Sequence, residues 1–387
     1  MAPKNDNAND NAQIGVAVLG AAGFAEEHHI PDTNSHPQAK VLALYSRGLE
    51  RAQEMADRTG VPDASDDLDA LLARDDIDAV TIVSSNDQHH PYAMAALAAG
   101  KHILCDKPMA LTAEQASEMT LAAKNAGVVN QIAFTFRYTY CIEEMRRRVT
   151  AGDIGKPHFI EIHNEVFSKQ VVEPQRASWR DDASLHGAGH LGEMGAHFID
   201  TVNYVCGPES GFISEVAAVT HTIPHSAQTA EGEMKPVDTL DIASFFVRTS
   251  GGLQGQVLAS RATPPPISYG IVHAGERERG HMGYVIVSGD KGSLMATFTR
   301  GEVEYLHELR PGEQWQRVEL PAEAADGKPH GVTRMIHGFV ANVLTGKVDP
   351  NIDATFEDGY RSQSAIDAIM KAGKSRRWEP VATSLEG

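Results

Sequence analysis

Val16-Ala17-Val18-Leu19-Gly20-Ala21-Ala22-Gly23-Phe24-Ala25 is the stretch on which the reading of this chain turns. The apolar run from Ile14 to Leu19 ends in a cluster of Gly and Ala, and Glu26-Glu27-His28-His29, able to begin a helix, follow. An apolar run of this length bounded by glycine reads as a buried strand of a parallel sheet. The small residues let the backbone turn tightly and approach a ligand. The helix behind them aims free N–H groups and its positive dipole end at a phosphate. That is the logic of a dinucleotide-binding turn. Gly20, Ala22 and Ala25 occupy the three glycine places, with Gly23 in addition, and Ala22 carries a methyl group where a pyrophosphate must come close. Small residues between a strand and a helix can equally serve packing alone, so the surrounding chain has to decide.

Outward from this turn, the pattern predicts strands over 40–45, 79–83, 101–105 and 130–134. It predicts helices over 51–59, 68–73, 91–99 and 112–126, the last with Thr112 as N-cap. Alternating strands and helices make right-handed βαβ units in a parallel sheet. Residues 13–135 therefore read as a doubly wound, Rossmann-type α/β domain. Beyond Phe136 the pattern changes to period-two runs and hairpin punctuation, with strands expected over 158–167, 241–249, 253–261, 284–288, 293–298 and 302–309. Helices are expected over 142–150, 195–205, 331–344 and 358–372, and 264–283 reads as an irregular loop. Residues 136–387 thus read as an α+β domain with a mostly antiparallel open sheet, a cleft separating it from the first. Residues 1–12, rich in Asn and Asp, read as a disordered tail.

Size and charge agree with this division. A chain of 387 residues is too long for one ordinary core. A net charge of -18, from 34 basic and 52 acidic residues, disfavours nucleic acid and anionic membranes, which need basic clusters. Cys105, Cys141 and Cys206 show no paired metal spacing and read as buried free thiols. No segment is long and apolar enough to span a bilayer, and the cytoplasm is the expected compartment.

Two stretches could carry chemistry. Asp106-Lys107-Pro108 follows the fourth expected strand, and ligands of open α/β sheets bind outside the carboxyl ends of strands. A lysine there can hydrogen-bond a substrate oxygen and stabilise negative charge as a hydride leaves or arrives; a surface lysine at a turn is the plain alternative. In Gly187 to Asp200, Glu193 and His197 are four residues apart and His197 and Asp200 three, so in a continuous helix either pair would share a face. A carboxylate beside a histidine sets its tautomer and raises its pKa, although such a pair can also be a solvated ion pair. No zinc spacing is present and no metal is expected.

Taken together, these motifs resemble the Gfo/Idh/MocA family of nicotinamide-dependent oxidoreductases. The resemblance rests on the Gly20-Ala21-Ala22-Gly23-Phe24-Ala25 turn with His29, on Ser84-Ser85-Asn86-Asp87-Gln88-His89, and on Ala99 to Pro108. It extends through Arg137, Gly152-Asp153-Ile154-Gly155-Lys156 and Glu193-x-Gly195-x-His197-x-x-Asp200. It implies Lys107 as catalytic lysine, His197 as acid/base, and Glu193 as the carboxylate that binds substrate hydroxyls or supports the histidine. It implies cofactor contacts from Gly20, Ala22, Gly23, Phe24, Ser84, Asn86, His89, Asp106, Lys107 and Arg137. Asp106 replaces a family Glu, Glu193 a family Asp and Ser85 a family Pro, so the bracing of the cofactor and the reach of the carboxylate differ.

At the end of the second expected strand, Ser46-Arg47 and Arg51 offer a hydroxyl and guanidinium groups with no carboxylate competing immediately, which suits the 2′-phosphate of NADP over NAD. Trp179, Arg180 and His163 are candidate substrate contacts, together with Lys107, Glu193 and His197. The expected activity is hydride transfer between NADP (or NAD) and a carbinol carbon of a sugar or polyol. An NAD-dependent glycosidase acting by transient oxidation and elimination, and a non-catalytic cofactor sensor, remain open alternatives. By the resemblance, a homodimer or homotetramer is expected.

Overall fold

The computed structural model describes residues 13–166, 168, 171, 173–262, 281–299, 304–326, 328 and 330–385. The expected tail over 1–12 and most of the expected loop over 264–283 lie outside them; residues 281–283 begin a strand.

Six parallel strands form the first sheet: β1 (Ile14–Leu19), β2 (Ala39–Tyr45), β3 (Asp63–Ser65), β4 (Ala79–Ile82), β5 (His102–Cys105) and β6 (Asn130–Ile132), in the order β3-β2-β1-β4-β5-β6. This is the doubly wound Rossmann order, whose direction reverses between β1 and β4 and so opens a crevice at their carboxyl ends. All residues of β1 and of β4 are buried, as apolar runs covered on both faces require. The edge strand β3 was not expected, because Asp63-Ala64-Ser65 carries no apolar run. Thr112 caps the helix Ala113–Ala126 by accepting from Gln115 N at 3.2 Å. After the glycine-rich turn the chain makes a π-helical turn, Ala25–His29, before the short helix Ile30–Ser35.

One face of this sheet is closed from far along the chain. The helix His330–Thr345 places Val332, Met335, Ile336 and Phe339 in one apolar cluster with Ile14, Val16, Ala79 and Leu104. Likewise Ile132 N donates to Ala354 O at 2.8 Å. The C-terminal segment therefore returns to the Rossmann domain, a packing that a division into two successive stretches does not convey.

The second sheet is built from β7 (Pro157–Glu165), β8 (Ile213–His221), β11 (Ile242–Thr249), β12 (Gln254–Ser260), β13 (His281–Gly289), β14 (Gly292–Thr299), β15 (Glu304–Leu309), β16 (Gln316–Val318) and β17 (Glu379–Pro380). Among the described residues these nine strands lie in the order β16-β15-β14-β13-β7-β12-β11-β8-β17. A separate hairpin pairs β9 (Ser226–Gln228) with β10 (Met234–Pro236). Every neighbouring pair of the large sheet is antiparallel except β7 with β12. Strand β8 was missed because only Ile213 and Val216 of its nine residues are buried, too few to mark a period. One sheet face buries Ile160, Ile162 and Val257 beneath helices that include Ala196–Ser210. The other face carries Phe159, Glu161 and His163 of β7, with Phe246 and Val219 in register across the neighbouring strands.

Candidate active site

The carboxyl ends of β1, β2, β4 and β5 open into a cleft of about 440 Å³. One wall comes from the Rossmann domain: Gly20 to Phe24, Ser46, Arg47 and Arg51, Ser84 to Asn86, and Asp106 to Pro108. The other comes from Trp179, Arg180, Leu185, His186 and Glu193. Gly20 sits at φ 127°, and a Cβ there would lie 2.3 Å from Val83 O, so the turn presses directly on the end of β4. Around Gly23 nothing lies within 4 Å of an added Cβ, leaving the ligand side open. This cradle fits the pyrophosphate of a dinucleotide. Gly20→Ala is accordingly expected to lower stability by about 1–3 kcal/mol and weaken cofactor binding, readable as a lower thermal midpoint and a higher Kd in one titration.

Arg51 donates from Nε to Ala21 O at 2.9 Å, bracing the turn, and Ser46 and Arg47, not a carboxylate, immediately follow Tyr45 at the end of β2. Asn86 is buried and donates to His186 O at 2.8 Å, tying the loop after β4 to the opposite wall. His89 is also buried but does not line the cleft. Its Nδ1 is 2.8 Å from Pro108 O, so it holds the Lys107–Pro108 loop from behind rather than facing a cofactor. Lys107 takes its backbone hydrogen bond to Asp106 Oδ1 at 2.8 Å, and its Nζ crosses the cleft to donate to Glu193 O at 2.7 Å.

Glu193 lies in a second π-helical turn, Leu191–Gly195, which runs into the helix Ala196–Ser210. A π turn adds one residue to the helical ladder and rotates the residues before it relative to those after it. The expected sharing of a face by Glu193 and His197 fails for this reason. The Glu193 carboxylate instead lies 3.2 Å from Arg180 Nε, 3.7 Å from His186 Nε2 and 3.5 Å from His190 Nδ1. Burial pushes its pKa up, but the His190 imidazole beside it and the charge of Lys107 outweigh this and hold the carboxyl well below the usual range.

His197 is buried beside Lys107, stacked on Phe136 with ring centres 4.5 Å apart, and its Nδ1 has no hydrogen-bond partner. It does not line the open cleft. Burial, and then the charge of Lys107, hold its pKa well below 6.5, so the imidazole is neutral at neutral pH. Asp200, the other expected neighbour, is turned away to Arg137.

Two further expectations need correction. Arg137 is 3% exposed and its donors are engaged by Asp200 at 2.8 and 2.5 Å and by Asp353 O at 3.2 Å, with Asp358 at 3.3 Å. A guanidinium so enclosed does not reach a cofactor; it clamps the segment after β6 to the helices Ala196–Ser210 and Phe356–Ser375. His163 lies on the sheet face opposite the helices, stacked on Tyr284 at 5.0 Å and 3.2 Å from Glu161, away from the cleft. The alternation of β7 places it there, with Ile162 and Asn164 facing the core.

Trp179 and Arg180 do line the cleft. Ser178 and Asp181 form a capping box around them, and the Arg180 guanidinium stacks 4.5 Å from the Trp179 ring centre. His186 and His190 were missed as site residues. Their signal was faint, two histidines in a glycine-rich loop before the helix that carries His197.

The buried imidazoles bear on stability. Burial holds His29 at a pKa of about 4, against the pull of Asp106, and holds His186 at about 4, against that of Glu193. An unfolded imidazole takes its proton near 6.5. Between pH 6.5 and 4 the unfolded chain therefore binds more protons, and the stabilisation, complete above 6.5, is lost as pH falls. The loss should reach about 1 kcal/mol per residue by pH 6, measurable as a declining denaturant midpoint from pH 7.5 to 6, with a flatter profile for His29→Phe.

With this geometry in place, comparison with known proteins defines the class. Residues 14–134 match the model of the oxidoreductase family with an NAD-binding Rossmann fold, and residues 142–295 match the GFO/IDH/MocA C-terminal domain. The chain belongs to the Gfo/Idh/MocA family and is by class an NAD(P)-dependent dehydrogenase. Among its relatives, an uncharacterised oxidoreductase of Rhizobium meliloti is 33% identical over 95% of this chain and 99% of its own. The levoglucosan dehydrogenase of Pseudarthrobacter phenanthrenivorans is 27% identical over 89% of this chain and 90% of its own. Among solved structures, an oxidoreductase domain protein from Kribbella flavida superposes with a TM-score of 0.82 at 27% identity, covering 96% of this chain and all of that one. No helix among the described residues is long and apolar enough to cross a membrane.

Proposed function

We propose that this chain transfers a hydride between NADP, in preference to NAD, and a hydroxyl-bearing carbon of a sugar or polyol. The observation that carries the reading is Lys107, whose ammonium spans a cleft walled on one side by a dinucleotide cradle and on the other by Trp179, Arg180 and Glu193. The likeness to levoglucosan dehydrogenase supports a sugar as substrate. The nicotinamide supplies or accepts the hydride when bound. Gly20, Ala22, Gly23 and Phe24 would hold the pyrophosphate, Ser46, Arg47 and Arg51 the ribose phosphate, and Ser84, Asn86 and Asp106 would lie on the side of the nicotinamide. Lys107 steadies the substrate oxygen as it gains negative charge. His197 is the proton carrier that the family resemblance implies, but it is neutral and buried beside Lys107 outside the open cleft, so it does not itself meet a substrate hydroxyl. The sheet face that exposes Phe159, Phe246 and Val219 suits association of copies into a homodimer or homotetramer.

The test is nicotinamide absorbance during incubation with sugars and polyols, with NADP and NAD in parallel. Turnover faster with NADP than with NAD at equal concentration is expected. Higher kcat/KM with NAD would overturn the cofactor assignment, and no turnover of any sugar or polyol would overturn the substrate class.

A further inference from the structure

We propose that His186 is a specificity-determining residue that reads a ring hydroxyl of the substrate, as one part of a diol-binding corner made with Glu193 and Arg180. The inference rests on the functional reading above. His186 is 1% exposed yet lines the cleft, and neither ring nitrogen has a hydrogen-bond partner. A buried imidazole without partners is costly unless a ligand satisfies it. The ring is fixed in place: Trp179 meets it edge-on at 5.1 Å, and Asn86 holds its backbone carbonyl at 2.8 Å.

Glu193 Oε1 lies 3.7 Å from His186 Nε2, beyond hydrogen-bond length. The two groups are complementary toward a hydroxyl. The ionised carboxylate can only accept, whereas the neutral imidazole offers one donor and one acceptor. A hydroxyl between them donates to Glu193 and accepts from the imidazole. The Arg180 guanidinium, half exposed beside the same carboxylate, has donors left for the oxygen of an adjacent hydroxyl. The flat face of Trp179 completes a wall suited to the apolar side of a sugar ring. The ligand class is therefore a cyclic polyol with neighbouring hydroxyls. The link through Asn86 also sets the position of this corner from the loop that lines the cofactor side.

The experiment compares the parent chain with His186→Phe, which keeps the ring and its contact with Trp179 but removes both nitrogens, and with His186→Gln, which keeps a donor and an acceptor. Steady-state kinetics and calorimetric Kd values are measured on NADP-loaded protein with levoglucosan, D-glucose, myo-inositol and the deoxy analogues of D-glucose. Cofactor Kd and thermal midpoint serve as controls. His186→Phe is expected to raise KM and Kd of the best ligand about 10-fold or more, with cofactor Kd unchanged and partial recovery in His186→Gln. Against the deoxy analogue that lacks the hydroxyl being read, the loss should vanish. A KM within twofold of the parent, or an equal loss for every analogue, overturns the role of His186 while leaving the functional reading intact. Binding of none of these compounds overturns both. A Lys107→Met variant as active as the parent overturns the functional reading alone.

Discussion

Lys107→Met is expected to lower kcat/KM by at least about 10³-fold, equivalent to about 4 kcal/mol of transition-state stabilisation, while cofactor Kd changes little. The expectation comes from position. Lys107 stands past the carboxyl end of β5, its backbone fixed by Asp106 and its ammonium extended to the carbonyl of Glu193. Methionine matches the length of the aliphatic stem and packs against the same loop, but presents no charge to an oxygen becoming an alkoxide. Among the described cleft-lining residues, the other cationic groups, Arg47, Arg51 and Arg180, are exposed at its edges, so none replaces it. A placed charge in a partly desolvated cleft is worth far more to the transition state than to the ground state, so the loss should fall on kcat more than on KM. Stopped-flow measurement of the hydride step with saturating cofactor separates the two, and a kcat within tenfold of the parent would remove Lys107 from the chemistry.

Arg137→Met should destabilise the fold by about 3–5 kcal/mol. Burial works against the guanidinium's charge, but Asp200 and Asp358 hold the group firmly protonated. Removing it leaves Asp200 buried without a counter-charge and Asp358 without its partner on that side, while Asp353 O loses a donor. That asymmetry makes breaking one half of a buried pair far worse than never having had it. For a chain of this size the thermal midpoint should fall by roughly 5 °C. Arg137→Lys should recover only part, since an ammonium cannot reproduce the two-pronged contact with Asp200. The cofactor contact implied by the family resemblance predicts the opposite pattern, a raised cofactor Kd with little change in midpoint. Calorimetry and a cofactor titration on the same variant distinguish the two roles.

Much of the architecture was legible from local pattern. Apolar runs ending in small residues marked β1, β4 and β5, and Gly20 and Lys107 could be located at strand ends because period and punctuation are properties of adjacent residues. Short polar strands such as β3, and β8 with two buried positions, left no period to read. The site was legible in part, with Trp179, Arg180, Glu193 and Lys107 meeting in one cleft. Spacing also suggested that Glu193 would support His197, but that inference assumed an unbroken α-helix. The π turn Leu191–Gly195 breaks the assumption, and the carboxylate goes to Arg180, His186 and His190 instead.

By itself, then, the sequence determined the doubly wound first domain, the hairpin-rich second one and the lysine at the mouth between them, because strand, turn and cap preferences are set within a few residues. Only the tertiary structure decided what the polar groups do. Arg137 meets Asp200 across 63 residues, Asn86 holds the carbonyl of His186 across 100, and the helix His330–Thr345 closes a sheet begun at Ile14. Such pairings depend on which buried charge or unsatisfied amide lies nearest once the chain has packed. No local period carries that information.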